Sequence, residues 1–110
     1  MLSITKVFVA SGILMASAVA FSGDMTYFKT GLGSCGAVSK DTDPVVAMSP
    51  NQNGHCGKLI KINYSGKTAT ATVVDKCPGC SGDSIDVSTA VFTQLAPLST
   101  GRVAVTWDYV

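Results

Sequence analysis

Between Lys67 and Val74 the chain reads KTATATVV, with Ala69, Ala71 and Val73 on one face and Thr68, Thr70 and Thr72 on the other. A period of two marks a strand with one covered face. Inward residues as small as alanine point to the wall of a tight barrel, where larger side chains would not fit. Gly57–Ile62 (GKLIKI) is a second strong strand signal, and Asn63-Tyr64-Ser65-Gly66 between the two predicts a hairpin turn. Further strands are predicted at residues 24–30 (DMTYFKT), at Val45–Met48 ahead of the Ser49–Gly54 loop, and at Ile85–Val87. A last strand alternates Val103, Val105 and Trp107, which assigns Trp107 to the core. Only one segment changes period. Val91, Phe92 and Leu95 form a helical stripe over Thr89–Ala96, Ser88 stands at the capping position, and Pro97 stops the helix. The pattern is that of an all-β barrel with one short helix.

The first twenty residues follow another rule. Lys6 precedes an apolar run from Val7 to Ala20 that ends in the small-x-small triplet Ala18-Val19-Ala20. That is the layout of a secretory signal peptide with cleavage after Ala20, and the run is short for a membrane anchor. Residues 21–110 are then one exported domain, expected to be monomeric, extracellular and free of the membrane once the leader is removed. The 8 basic and 7 acidic side chains give a net charge of +1, which argues against counterion-release binding to nucleic acid. All acids are aspartates (Asp24, Asp41, Asp43, Asp75, Asp83, Asp86 and Asp108), so a catalytic carboxylate has to be an Asp. No cofactor is expected. In an exported chain the even set Cys35, Cys56, Cys77 and Cys80 reads first as disulfides, with three pairings open. Zinc is the weaker alternative, with His55-Cys56 and Cys77-Pro78-Gly79-Cys80 supplying ligands. Asn63-Tyr64-Ser65 is an N-glycosylation acceptor triplet in the expected turn.

The segment from Val73 to Ser88 (VVDKCPGCSGDSIDVS) carries the most information. Asp75 closes a strand, a turn follows, and Asp86 precedes the helix behind Ser88. This arrangement resembles the double-psi β-barrel of expansins, barwin-like proteins and rare lipoprotein A. Thr26-Tyr27, Cys56-Gly57 and Val103–Trp107 match that family in order. Among its members the chain resembles the small fungal loosenins, which consist of the barrel alone. The resemblance implies a six-stranded double-psi barrel over residues 21–110. By analogy with barwin it pairs Cys35 with Cys56, which leaves Cys77 to Cys80. It also implies that Asp86 is the essential carboxylate, that Asp75 is its companion, and that Thr26 and Tyr27 line the same groove. Cys77 stands where expansins have a further Tyr. The family 45 endoglucanases, which share the fold, hold their general base just after an aromatic pair; here Tyr27-Phe28 is followed by Lys29. Lysine does not replace that base, so ordinary hydrolysis is not expected.

The residues allow a concrete division of roles. Asp86 can act as an acid if apolar neighbours such as Ile85 raise its pKa. Tyr27 and Tyr109 are the candidate sugar-stacking surfaces, and Lys76 is a candidate groove residue. The plain structural alternatives are that Asp75 satisfies backbone amides at its strand end and that Asp86 braces the helix start. The leading expectation is a protein that binds and loosens cell-wall polysaccharide (cellulose, chitin or a related glucan) without hydrolysis. Lytic transglycosylase-like action on peptidoglycan would use Asp86 as both acid and base. A cysteine-protease inhibitor or defence protein would use the loops Gly31–Gly36 and Ser49–Gly54 instead.

Overall fold

The computed structural model describes residues 20–110. The signal-peptide expectation lies outside these residues except for Ala20. The strands are β1 (Phe21–Tyr27), β2 (Val45–Met48), β3 (Leu59–Tyr64), β4 (Lys67–Lys76), β5 (Ile85–Val87) and β6 (Val103–Tyr109), with helix α1 at Thr89–Leu95. They close into a barrel in the order β1-β5-β2-β4-β3-β6. The β1/β5 and β2/β4 pairs are parallel and the others antiparallel. This is the six-stranded double-psi barrel with one helix that the sequence led us to expect.

The alternation along β4 has the predicted sense. Ala69, Ala71 and Val73 are buried while Thr68 and Thr70 are exposed. Small inner residues leave room for α1, which packs mainly against this strand and contributes Val91, Phe92 and Leu95 to the core. Met25, Val46, Ile60, Ile62, Ile85, Val87 and Trp107 complete it. Trp107 is fully buried, as expected, and its ring stacks on Phe21 at 4.5 Å.

Four local details differ from the sequence reading. β1 begins at Phe21 and ends at Tyr27, because Phe21–Met25 pairs with Trp107–Val103 of β6. The chain then leaves the barrel, and Thr30 donates through its amide and its hydroxyl to Asp41 Oδ1. β3 starts at Leu59 because Gly57, with φ 81°, turns the backbone before it. The hairpin turn is confined to Ser65 and Gly66, both at positive φ, the primed geometry that matches strand twist. Asn63 therefore lies inside β3, paired with Thr68 and Thr106, and not in the turn. Finally, Ser88 sits at the N-cap of α1 without capping it; its buried hydroxyl accepts from the Val45 amide at 3.4 Å.

Both cysteine pairs are disulfides, Cys35–Cys56 and Cys77–Cys80. The thiols that the zinc alternative required are thus consumed.

Candidate functional site

The registers place a row of side chains across one face of the barrel. Thr26 of β1 pairs with Asp86 of β5, Asp86 pairs with Ala47 of β2, and Ala47 pairs with Asp75 of β4. Residues in register on neighbouring strands project to the same face. Met25, Val46, Ile85 and Val87 occupy the inner face, so this row lies on the opposite face of the strands, where Ala47 is itself covered. Asp75 and Asp86 are two strands apart, roughly 10 Å between Cα atoms at normal strand spacing.

Simple alternation would have turned Asp75 inward with Ala71 and Val73. Between Val46 and Ala47 the register slips by one, leaving Val74 as an extra residue in β4. Such a bulge re-aims the residues that follow it, and here it brings Asp75 onto the outer face. The bulge is held by the loop after β1. Cys35 donates its amide to the Val74 carbonyl at 3.1 Å, and Ser34 donates its amide to Asp75 Oδ1 at 2.9 Å. Asp75 Oδ1 also accepts from the Lys76 amide at 2.8 Å.

That clamp requires a glycine at position 33. A Cβ there would sit 2.2 Å from the Val74 carbonyl oxygen, and main chain on both sides leaves no flexible neighbour to give way. Gly33→Ala is expected to destabilise the protein by about 1–3 kcal/mol, read as a lower urea midpoint. An unchanged midpoint would contradict the clamp.

Asp86 is half-buried, and Thr26 Oγ1 donates to its Oδ1 at 2.9 Å. Burial raises its pKa above the ordinary carboxylate range, while the Thr26 hydrogen bond and the positive charge of Arg102 work in the opposite direction. Arg102 was not singled out from the sequence. It lies just before β6, where the Met25–Val103 register brings it beside Thr26, and it donates to Asp24 Oδ2 at 3.2 Å. Lys29 is 88% exposed and pairs with Asp41 at 3.5 Å. Hydrogen bonds from Thr30 and the Lys29 charge hold Asp41 below its usual pKa.

Beyond Asp75 the outer face opens into a groove of about 530 Å³. Asp75, Lys76 and Pro78 form one side, and Ser34, Cys35, Pro50, Asn53, His55 and Cys56 contribute to the rest. Asp75 thus belongs both to the row and to this groove, whereas Asp86 and Thr26 lie outside the groove lining. The two tyrosines point elsewhere. Tyr27 follows Thr26 and faces the opposite way; its ring meets Phe92 edge-on at 4.9 Å and its hydroxyl donates to the Leu98 carbonyl. Tyr109 stacks on His55 at 4.6 Å and donates its hydroxyl to Gln52 Oε1 at 2.8 Å, behind the groove wall. Burial and the charge of Asp83 raise its pKa.

A family model described as lytic transglycolase matches residues 20–107. The chain belongs to this family, the rare lipoprotein A-like double-psi β-barrels. The chain is 36% identical to the papain inhibitor of Streptomyces mobaraensis, over 92% of this chain and 85% of that protein. The solved structure of the Streptomyces papain inhibitor superposes with a TM-score of 0.74, covering 84% of this chain and 94% of that one. An allergen Asp f 7 homolog of Arthroderma benhamiae is 45% identical over 67% of this chain, which spans only 28% of that relative. A Clavibacter michiganensis expansin in complex with cellohexaose shares the fold at 22% identity and a TM-score of 0.73, covering 84% of this chain and 50% of that one.

Proposed function

We propose that this is an exported protein, carried out by the leader at residues 1–20, whose barrel binds a cell-wall polysaccharide along the Thr26–Asp86–Ala47–Asp75 row and loosens it without hydrolysis. The observation that carries this reading is a single desolvated carboxylate, Asp86, held by Thr26 on an outward face. Desolvating a half-buried carboxylate costs stability, and groups with pKa values raised in this way cluster at functional sites. Hydrolysis with inversion needs a second carboxylate free to activate water. Asp75 lies in the groove, whose lining does not include Asp86, and the family resemblance puts Lys29 where the hydrolases hold their base. Asp86 then serves as a hydrogen-bond partner for sugar hydroxyls, with Asp75 and Lys76 extending the contact into the groove.

The test is a pull-down on cellulose, chitin and peptidoglycan, with soluble products read by mass spectrometry. Retention on cellulose or chitin without released sugars, reduced about tenfold in Asp86→Asn, is the expected result. Anhydro-sugars released from peptidoglycan would replace it with lytic chemistry, and no retention on any of the three would end it.

The same substitution has a distinct signature in stability. The folded pKa of Asp86 is raised, so the folded protein binds its proton more tightly than the unfolded chain does. The associated stability is complete below the unfolded carboxylate pKa and is lost as pH rises through the folded one. Asp86→Asn removes that loss while keeping an acceptor for Thr26. Its melting temperature relative to the wild type is therefore expected to rise between strongly acid and neutral pH. A difference independent of pH would contradict the desolvated carboxylate.

A second reading is inhibition of a papain-like cysteine protease. It is favoured by identity with the papain inhibitor over nearly the whole of both chains. The loops Gly31–Gly36 and Ser49–Gly54 that such a function would use are linked through Cys35–Cys56 and adjoin the groove. This activity would be indifferent to Asp86.

A further inference from the structure

The loop between β1 and β2 presents an apolar surface that the core does not use. Leu32 and Val38 face each other across an isolated antiparallel bridge, and they are 73% and 77% exposed. Most exposed apolar side chains are scattered singly, and an adjacent pair on one loop calls for a reason. This pair stands on a rigid base. Gly33 and Ser39 donate their amides to Ala37 and Gly31 within the loop, and Gly36 donates to Gly33. The tip is bonded to β4 through Cys35 and Ser34, and it is stapled to the next loop by Cys35–Cys56. At Gly33 the loop lies so close to β4 that a Cβ would meet the Val74 carbonyl.

Resting on the inhibitor reading, we infer that this loop is the inhibitory element, and that Leu32 and Val38 enter the substrate cleft of a papain-like cysteine protease. Such a cleft accepts an extended segment through main-chain hydrogen bonds and selects it through apolar side-chain pockets. The bridge fixes the backbone at Leu32 and Val38 over a turn at Ser34 and Cys35, so little conformational entropy remains to be lost on binding. No acidic residue lies between Gly31 and Lys40, so the tip brings no carboxylate that the cleft would have to desolvate. The partner is bound as a wedge and no bond is cleaved.

The experiment measures inhibition of papain by the purified protein, by a Leu32→Asp/Val38→Asp variant and by Val110→Asp. Val110 is also 77% exposed, which controls for a general loss of apolar surface. Both substituted side chains project into solvent, and thermal melts verify that the variants fold. The expected result is inhibition by the wild type and by Val110→Asp, with an inhibition constant about 100-fold weaker in the loop variant. Wild-type inhibition that survives the loop substitutions overturns the assignment of Leu32 and Val38 and leaves the inhibitor reading standing. Equal weakening by Val110→Asp also overturns the assignment. A wild type that leaves papain fully active overturns both.

Discussion

Trp107→Ala is expected to lower the unfolding free energy by about 3–5 kcal/mol. The ring is fully buried, stacks on Phe21 and meets Tyr109 edge-on at 5.3 Å. Its removal leaves a cavity that the closed barrel cannot collapse to fill, because the neighbouring strands are fixed on both sides. A second loss is polar. Trp107 Nε1 donates to the Asp83 carbonyl at 2.8 Å, and the truncated side chain would leave that acceptor without its partner. The same loop is held by Ser49 Oγ on the Gly82 carbonyl and by Gln52 on Asp83 Oδ1, so it would loosen without detaching. Since Asp86 follows directly in β5, the row on the outer face would lose definition along with stability. Urea unfolding followed by circular dichroism gives the number, and Trp107→Phe separates the two contributions by keeping most of the volume without the N–H. A loss below about 1 kcal/mol for Trp107→Ala would contradict this account of the core.

The second large effect is expected from Cys35→Ser/Cys56→Ser. The bridge spans a sequence separation of 21 residues, and the chain-entropy argument assigns about 3 kcal/mol to a closure of that length. Cys77–Cys80 spans a separation of only 3, so its removal should cost less by the same argument. The two double variants, compared in one urea series, test the ranking directly. A greater loss from the Cys77–Cys80 variant would show that local strain or packing outweighs loop closure. The first bridge matters to function under either reading. Cys35 and Cys56 both line the groove, and their bond joins the loop carrying Leu32 and Val38 to the loop carrying Pro50 and Asn53. Opening it should raise proteolytic nicking in both loops, read by limited digestion and mass spectrometry.

The comparison of β4 with β1 shows how far the sequence reaches. The Ala/Thr alternation from Thr68 to Val73 defines a strand, its buried face and the tightness of the wall, because all three depend only on local periodicity. The stripe of Val91, Phe92 and Leu95 does the same for α1, and the Val103-Val105-Trp107 alternation put Trp107 in the core. The barrel with one helix was legible in the same patterns, whereas the double-psi topology and the disulfide pairing came from resemblance, which drew on the order of short motifs and not on any one of them.

What remained hidden depended on pairing between distant segments. β1 starts at Phe21 because β6 is there to receive it, and nothing in residues 21–23 announces that. Asp75 reaches the outer face because Val74 bulges where β2 meets β4, whereas its place in the alternation pointed inward. Arg102 bears on Asp86 only through the β1/β6 register, and Lys29 turns to Asp41 across a loop. Thr26 and Tyr27, adjacent in a shared motif, diverge because successive strand residues face opposite ways. Local sequence determined which segments are strands and which of their faces is apolar. Register, bulge and closure determined which polar groups meet, because those are set by hydrogen bonding between strands whose partners the local sequence does not specify.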